Sequence, residues 1–490
     1  MTNPTREDFT ELAKDQRYVP LYTHIMGDSL TPVLVYQSIR ALSRHSYLLE
    51  SVQQDEKLGR YSFIGFDPAV VFKSKGDQLE LQIEKEENKT FKGDPFKELF
   101  KIMKDFRPAK VNESEFYRGG MVGYFGYDNI RHIEKIPDAN PDDLQIPDSF
   151  FILPKKVVIF DHLYQSITIF ALSDTSGSNN YDRDVDEIKN LLKVLSTPPD
   201  SETVILPNEE ELSEPEFESN MTREDYMKIV ERAKEYIVEG DIFQVVLSQR
   251  FRMDYQGDPF EVYRSLRRVN PSPYLFYLDF ESFQIAGSSP EILVKREEDT
   301  LTLRPIAGTR RRGKDAPEDQ ELADELLADP KETAEHMMLV DLGRNDLGRV
   351  CQFGSVKPTR FKFIEHYSHV MHIVTNLEGK MAEGMDNGKI LHSSFPAGTL
   401  SGAPKVRAME IIDELEVSKR GFYGGAVVNL DFNGNFDSCI GIRTVLLKEG
   451  SAYIQAGAGI VADSVPATEY EECINKAKAL MKAIQFTGKR

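Results

Sequence analysis

Glutamates in two distant stretches of this 490-residue chain are spaced for metal chemistry. The stretch Lys331–Val350, KETAEHMMLVDLGRNDLGRV, opens with Glu335 ahead of an apolar run, Met337-Met338-Leu339-Val340, and continues with Asp341, Arg344, Asn345 and Asp346. Thr333, Ala334 and the run after them predict a helix entering the interior, with the polar cluster following it. A carboxylate at such a point is costly to bury unless it is paired or holds a metal. Near the C-terminus a predicted strand, Tyr453 to Val461, runs into Gly457-Ala458-Gly459, where backbone amides can approach a bound carboxylate with no side chain in the way. On the helix that starts near Pro466, Glu469 and Glu472 share one face at i and i+3. Glu335 and Glu472, on separate helices, suit one hard cation. Mg²⁺ takes few carboxylates, keeps waters and accepts a substrate oxygen. Glu469, Glu471 and Glu472 equally suit a solvated acidic face near a helix N-terminus, and short motifs leave both readings open.

Composition narrows the class. The chain is 40% hydrophobic and 29% charged, with no apolar run of the ~18 residues a membrane span needs. Its N-terminal residues, MTNPTREDFTELAKD, carry neither a secretory h-region nor an Arg-rich transit character. Three widely spaced cysteines, Cys351, Cys439 and Cys473, predict reduced thiols in a cytoplasm. A formal charge of −20, from 60 basic and 80 acidic residues, argues against nucleic-acid binding. It also sets a condition: an anionic substrate needs local cations strong enough to overcome the global field.

The elements that position these residues fall into two segments. Residues 1–195 read as mixed structure: a helix entered at Thr31-Pro32-Val33 and running through Tyr36, Ile39 and Leu42; a strand Tyr47-Leu48-Leu49-Glu50-Ser51; alternating strands over 69–92; a glycine-rich strand Gly119–Tyr127 whose spacing is wrong for a phosphate loop; two strands between Phe150 and Phe170; and a helix from about Asp182 to Leu195. Pro, Ser and Glu dominate 196–220, the candidate linker. From 221 to 490 the chain reads as the chemistry-bearing domain, opening on an amphipathic helix from Thr222 that Gly240 stops.

Several motifs, in order over about 270 residues, carry a resemblance. They are Gly240-Asp241-Ile242-Phe243-Gln244-Val245-Val246-Leu247-Ser248-Gln249-Arg250, Gly287-Ser288-Ser289-Pro290-Glu291, Arg304-Pro305-Ile306-Ala307-Gly308-Thr309-Arg310, the Glu335 stretch, Phe395-Pro396-Ala397-Gly398-Thr399-Leu400-Ser401-Gly402-Ala403-Pro404-Lys405, Tyr423-Gly424-Gly425-Ala426, Ile442-Arg443-Thr444 and the Gly-Ala-Gly and Glu472 segments. As a set they resemble the chorismate-utilising enzymes, and among them the anthranilate synthase component I family. The resemblance implies an α/β (α+β) fold: two large antiparallel β-sheets packed as a sandwich, helices outside, with interleaved subdomains.

It also implies chemistry. Isochorismate- and salicylate-forming members carry a water-activating Lys where Gln244 stands, and aminodeoxychorismate synthases a nucleophilic Lys where Ala307 stands. With neither amine the nucleophile must arrive competent, as ammonia does. The implied reaction is a lyase step, chorismate plus ammonia to anthranilate and pyruvate, the first committed step of L-tryptophan biosynthesis. Carried over residue by residue, Glu335 and Glu472 hold Mg²⁺; Arg443, Tyr423, Gly308, Thr309 and the Gly457, Ala458 and Gly459 backbone bind chorismate; Glu291 is the general acid; His372 serves the pyruvate-releasing step with Thr399 beside it. Leu48-Leu49-Glu50-Ser51 and Asn270-Pro271-Ser272-Pro273-Tyr274-Leu275 resemble an inhibitory L-tryptophan site, with Glu50 receiving the ligand ammonium and Ser51, Pro273, Tyr274 and Leu275 around the indole. No cysteine sits in a glutaminase-type elbow, so the implied partner is a separate glutamine amidotransferase subunit, component II. The alternatives are aminodeoxychorismate synthase component I and a non-catalytic chorismate-binding subunit.

Overall fold

Two long strands join the halves of the fold. In the computed structural model, which describes residues 2–51, 59–111, 119–176, 180–197, 213–367 and 370–488, Tyr61–Lys75 and Ser149–Asp161 run antiparallel, with a register shift between Pro68 and Val70. An irregularity of this kind bends and twists the strands that carry it. Residues 63–66 pair with Ser46–Glu50, and residues 70–75 with Gln78–Ile83. Likewise 149–152 pair with Gly120–Phe125, and 156–161 with Ser166–Asp174. The two strands therefore belong to two sheets at once.

From one end of this pair a sheet continues through Gly120–Phe125, Ala426–Asp431, Phe436–Ile440, Lys295–Glu297, Thr300–Leu303 and Val370–Lys380. From the other end a second sheet continues through Ser46–Glu50, Tyr274–Asp279, Gln284–Ser289, Thr444–Lys448, Ser451–Ile460 and Gln244–Asp254. Each sheet takes strands from both sides of the 196–220 segment. The interleaving implied by the resemblance is thus a matter of strand pairing. Val122, Tyr124, Val427 and Cys439 of one sheet share a core with Phe276, Leu278, Ile285 and Leu446 of the other, so the sheets pack face to face. The outer faces carry the helices: Leu48, Leu275, Tyr277 and Val445 pack with Tyr263, Leu266, Leu480 and Met481 from the helices Pro259–Val269 and Pro466–Gly488.

The 196–220 segment lies mainly outside the described residues; its end, Glu218–Ser219, already pairs with Arg252 and Phe251. The helix after it, Arg223–Glu239, is capped by the Thr222 side chain and stopped by Gly240 at φ 87°.

The Glu335 stretch differs from the sequence reading in extent. It is helical throughout, Pro330–Gly348, with Asp329 accepting from the Lys331 and Glu332 amides and Pro330 in the first turn. The polar cluster that the sequence sets after the helix is its last two turns. Its side chains divide by face: Asp341 pairs with Arg344 in solvent, whereas Asp346 is buried against Lys405. Among the described residues no helix is long and apolar enough to cross a membrane.

Candidate active site

The strand Ser451–Ile460 continues through Gly-Ala-Gly, pairing Gly457 with Ser248 and Gly459 with Val246. The Gly457 carbonyl accepts from Lys476 Nζ at 2.9 Å, so this peptide edge is turned away from the neighbouring strand. The two-residue period of a strand turns Gly459 the same way and sends Ala458 to the sheet. The backbone requires glycine at Gly457, whereas at Gly459 a Cβ would meet only the end of the Gln244 side chain. A Cβ at Gly457 would stand 2.7 Å from the Leu247 carbonyl oxygen and 3.1 Å from Tyr423 Oη, and one at Gly459 would stand 2.6 Å from Gln244 Nε2. Tyr423 and Gln244 therefore close over the glycine edge.

Arg443 sits beside it in the left-handed region, φ 53°, and donates from Nη1 to the Lys476 carbonyl at 3.0 Å. Burial pulls its guanidinium below the ordinary range, and nearby Tyr423 and Glu472 only partly oppose this. A guanidinium so placed, with no carboxylate bound to it among the described residues, is suited to an incoming carboxylate. Arg443 and Lys476 supply local positive charge against the −20 net charge of the chain.

Two helices bring carboxylates to the same place. Burial, then Glu332 and Glu472, push the Glu335 carboxyl above its ordinary value. Glu335 has no hydrogen-bond or ion-pair partner among the described residues, whereas Glu332 pairs with Arg310 at 3.0 Å and Glu472 with Lys476 at 2.6 Å. Glu469 is buried, and its carboxyl is raised by burial and lowered by Ser464. Like charges held together in this way fit a divalent cation, which relieves their repulsion. No group of three or more His, Cys, Asp or Glu side chains among the described residues forms a metal cage, so an ion here would keep much of its water.

On the other sheet, Ala307 and Thr309 flank a register irregularity that puts Gly308 at φ 73°. The Gly308 carbonyl oxygen lies 2.9 Å from His372 Nδ1, and Thr309 Oγ1 lies 3.1 Å from the same nitrogen. The carbonyl can only accept, so Nδ1 carries the hydrogen and Nε2 the lone pair. Burial holds the imidazole below its ordinary pKa. Thr399 Oγ1 donates to Glu291 Oε1 at 3.1 Å. Burial pushes the Glu291 carboxyl up to about 8, with Thr399 opposing, so at neutral pH it holds a proton.

Sequence reasoning missed Lys476 and Glu332. Lys476 reads as an ordinary i, i+4 partner of Glu472, and Glu332 as a first-turn acid; neither spacing points to a site.

The residues expected around an indole line one cavity of about 470 Å³: Leu49, Glu50, Ser51, Pro273, Tyr274 and Leu275. Strand alternation divides their side chains. Glu50 is buried on the opposite face, bound by Arg267 Nε at 3.1 Å and by the Tyr263 hydroxyl, and Leu275 joins Leu48 and Tyr277 there. The Glu50 carboxylate, expected to receive an ammonium, is already engaged by Arg267 and Tyr263. Asp437, which the sequence reading passed over, lines the cavity and accepts from Tyr274 Oη at 2.9 Å; burial raises its carboxyl. Ser51 Oγ is buried without a hydrogen-bond partner among the described residues.

All three cysteines are buried, and burial raises each thiol, Cys351 to about 11 and Cys473 to about 12. None is a ready thiolate.

The chorismate binding enzyme family matches residues 44–482. Anthranilate synthase component 1 of Acetivibrio thermocellus is 47% identical over 492 aligned residues, covering 100% of this chain and 99% of the relative. The crystal structure of anthranilate synthase component I from Streptococcus pneumoniae superposes with a TM-score of 0.78 at 36% identity, over 93% of this chain and 99% of the other. The menaquinone-specific isochorismate synthase of Escherichia coli shares the fold, with a TM-score of 0.72 at 18% identity over 98% of each chain.

Proposed function

The chain belongs to the chorismate-binding enzymes, within them to the anthranilate synthase component 1 family of lyases, and from that premise we propose that it converts chorismate and ammonia to anthranilate and pyruvate. The observation that carries this reading is the identity of the side chains at two points of the site. Gln244, over Gly459, and Ala307, beside Gly308, present no amine where an internal nucleophile or water-activating base would stand.

Glu335 and Glu472 are the residues that would hold Mg²⁺. When bound there, the ion supplies charge neutralisation and orientation for the ring carboxylate. Arg443 and the Gly457 and Gly459 amides bind the enolpyruvyl carboxylate, and Lys476 adds a cation beside the ring carboxylate. Ammonia attacks C2. Glu291 gives its proton to the C4 hydroxyl oxygen, which leaves with its bonding electrons as water. The new C–NH₃⁺ group releases one proton to solvent. In the second step His372 Nε2 takes the C2 proton, the C3–O bond breaks with its electrons staying on oxygen, and the ring becomes aromatic. The released enolate takes a proton from solvent at its methylene carbon to become pyruvate, and His372 gives its proton to solvent.

Ammonia comes from glutamine through a separate glutaminase, component 2, since the buried, protonated cysteines support no such chemistry in this chain. The cavity at Ser51, Pro273, Tyr274 and Asp437 takes L-tryptophan as feedback inhibitor, and the enzyme works in the cytoplasm. The test is direct: purified chain, chorismate, Mg²⁺ and an ammonium salt at alkaline pH, with products read by fluorescence and mass. Anthranilate plus pyruvate, dependent on Mg²⁺ and ammonium, supports the reading. Aminodeoxychorismate, isochorismate or no product overturns it.

A further inference from the structure

Behind the Glu291 acid lies a second, small cavity. Glu291, Thr399, Arg304, Leu339, Gly343 and Asp346 line it, and its volume is about 40 Å³. One water needs roughly 10–15 Å³ on this measure, so two or three fit. Asp346 is 5% exposed. Its Oδ2 accepts from Lys405 Nζ at 2.9 Å, while Oδ1 is buried with no hydrogen-bond partner among the described residues. An unsatisfied buried carboxylate oxygen is costly, on the order of 1–3 kcal/mol or more, and the cavity that Asp346 lines has room for a water to satisfy it. Asp346 reaches this wall because the Pro330–Gly348 helix continues through the polar cluster, and it faces the same side as Leu339 and Gly343, at i−7 and i−3.

We propose that Asp346, through water in this cavity, supplies the proton that Glu291 must regain after each turnover. The proposal rests on Glu291 acting as the acid of the reaction above. The Glu291 O–H bond breaks as its proton passes to the departing C4 oxygen. The resulting carboxylate takes a proton from the adjacent water, which takes one from the next, and Asp346 replaces the last with a proton from the Lys405 ammonium. The Lys405 side chain, 11% exposed, regains its proton from solvent. The solvent returns the proton lost by the C–NH₃⁺ group, so the cycle balances without an added acid. Asp346 touches neither substrate nor metal and is a positioning and relay residue. The charged groups around the path are Arg304 on the cavity wall, bound to Glu365; Tyr367, which feels the Glu291 charge; and Lys405 and Arg349 beside Asp346.

The test is Asp346→Asn in the full chain, with saturating ammonium, chorismate and Mg²⁺. The expected result is a fall in kcat on the order of 10-fold with unchanged chorismate KM, a larger solvent deuterium isotope effect on kcat, and partial rescue by added small buffer acids that titrate near the assay pH, such as imidazolium. If that variant does not fold, Asp346→Asn with Lys405→Met, which leaves no unpaired charge, carries the same test. Wild-type kcat and isotope effect overturn the relay, as does a loss that buffer acids do not rescue. Glu291→Gln is run alongside: if it stays active, the acid assignment fails; if it is inactive while Asp346→Asn is unaffected, only the relay fails.

Discussion

Lys476 Nζ stands 2.6 Å from Glu472 Oε1, one helical turn back on the same helix, and also bonds the Gly457 carbonyl. The lysine thus ties a candidate metal ligand to the glycine edge that Arg443 flanks, and its charge faces the region where a dianionic substrate must sit. Lys476→Met is expected to raise the chorismate KM about 10- to 100-fold, the worth of one charge-assisted hydrogen bond. Steady-state kinetics at saturating Mg²⁺ check this; an unchanged KM would leave the lysine a plain i, i+4 helix partner.

The Glu291 carboxyl, held near 8 by burial, predicts both a rate profile and a stability profile. With ammonia saturating, kcat falls as pH rises through about 8, because the acid has lost its proton. For stability the sign is as follows. The folded state keeps a proton that an unfolded glutamate, pKa about 4.3, has released, so stability declines from about pH 4 up to about pH 8. Glu291→Gln removes that decline. It is expected to lower kcat by about 100-fold or more while raising stability at pH 7 by up to about 3 kcal/mol. Denaturant titrations at pH 5 and pH 8 check the second part, and the gain must be larger at pH 8.

The sequence suggested the site and the fold through a resemblance carried by short, ordered motifs; alternation by itself marked single strands and not their packing into two sheets. What it missed has physical reasons. Glu50 and Ser51 are neighbours in one strand end, so a motif names both, yet alternation sends Glu50 to Arg267 and Ser51 to the cavity. Asp341 and Asp346 look alike in a polar run, and only the helix continuing to Gly348 sorts one to solvent and the other to Lys405. Lys476 fits a spacing pattern, i, i+4 from Glu472, that marks any helix surface, and only tertiary packing brings it to the Gly457 carbonyl and Asp437 to Tyr274.

The Gln244 side chain lies over Gly459, and the proposed reaction makes it the residue that chooses the nucleophile. Gln244→Lys places an amine there, charged at neutral pH and, when desolvated, able to activate water. Anthranilate formation with ammonium is expected to drop on the order of 10-fold, with isochorismate, the hydroxyl counterpart, appearing in the mass spectrum. Unchanged anthranilate with no isochorismate would show that this residue does not choose the nucleophile.

The last prediction separates Asp437 from Glu50, two of the acids that line the 470 Å³ cavity. Asp437 is the carboxylate that shares the cavity with Ser51 and Tyr274, and a ligand ammonium would restore the charge that burial opposes. Asp437→Asn keeps the shape and the Tyr274 contact but loses the charge, so the L-tryptophan Kd is expected to rise about 10- to 100-fold with little change in melting temperature. Glu50→Gln acts differently. Its carboxylate faces Arg267 and Tyr263, so the variant loosens the contact between the Ser46–Glu50 strand and the Pro259–Val269 helix, and any weakening of tryptophan binding should come with a lower melting temperature. Calorimetry with L-tryptophan beside thermal melts of both variants distinguishes them: a Kd shift from Glu50→Gln alone, with an unchanged melt, would return the ammonium to Glu50 and require its side chain to swing into the cavity. Ser51→Phe, which pushes a ring into the same space, is expected to abolish binding whichever acid receives the ammonium.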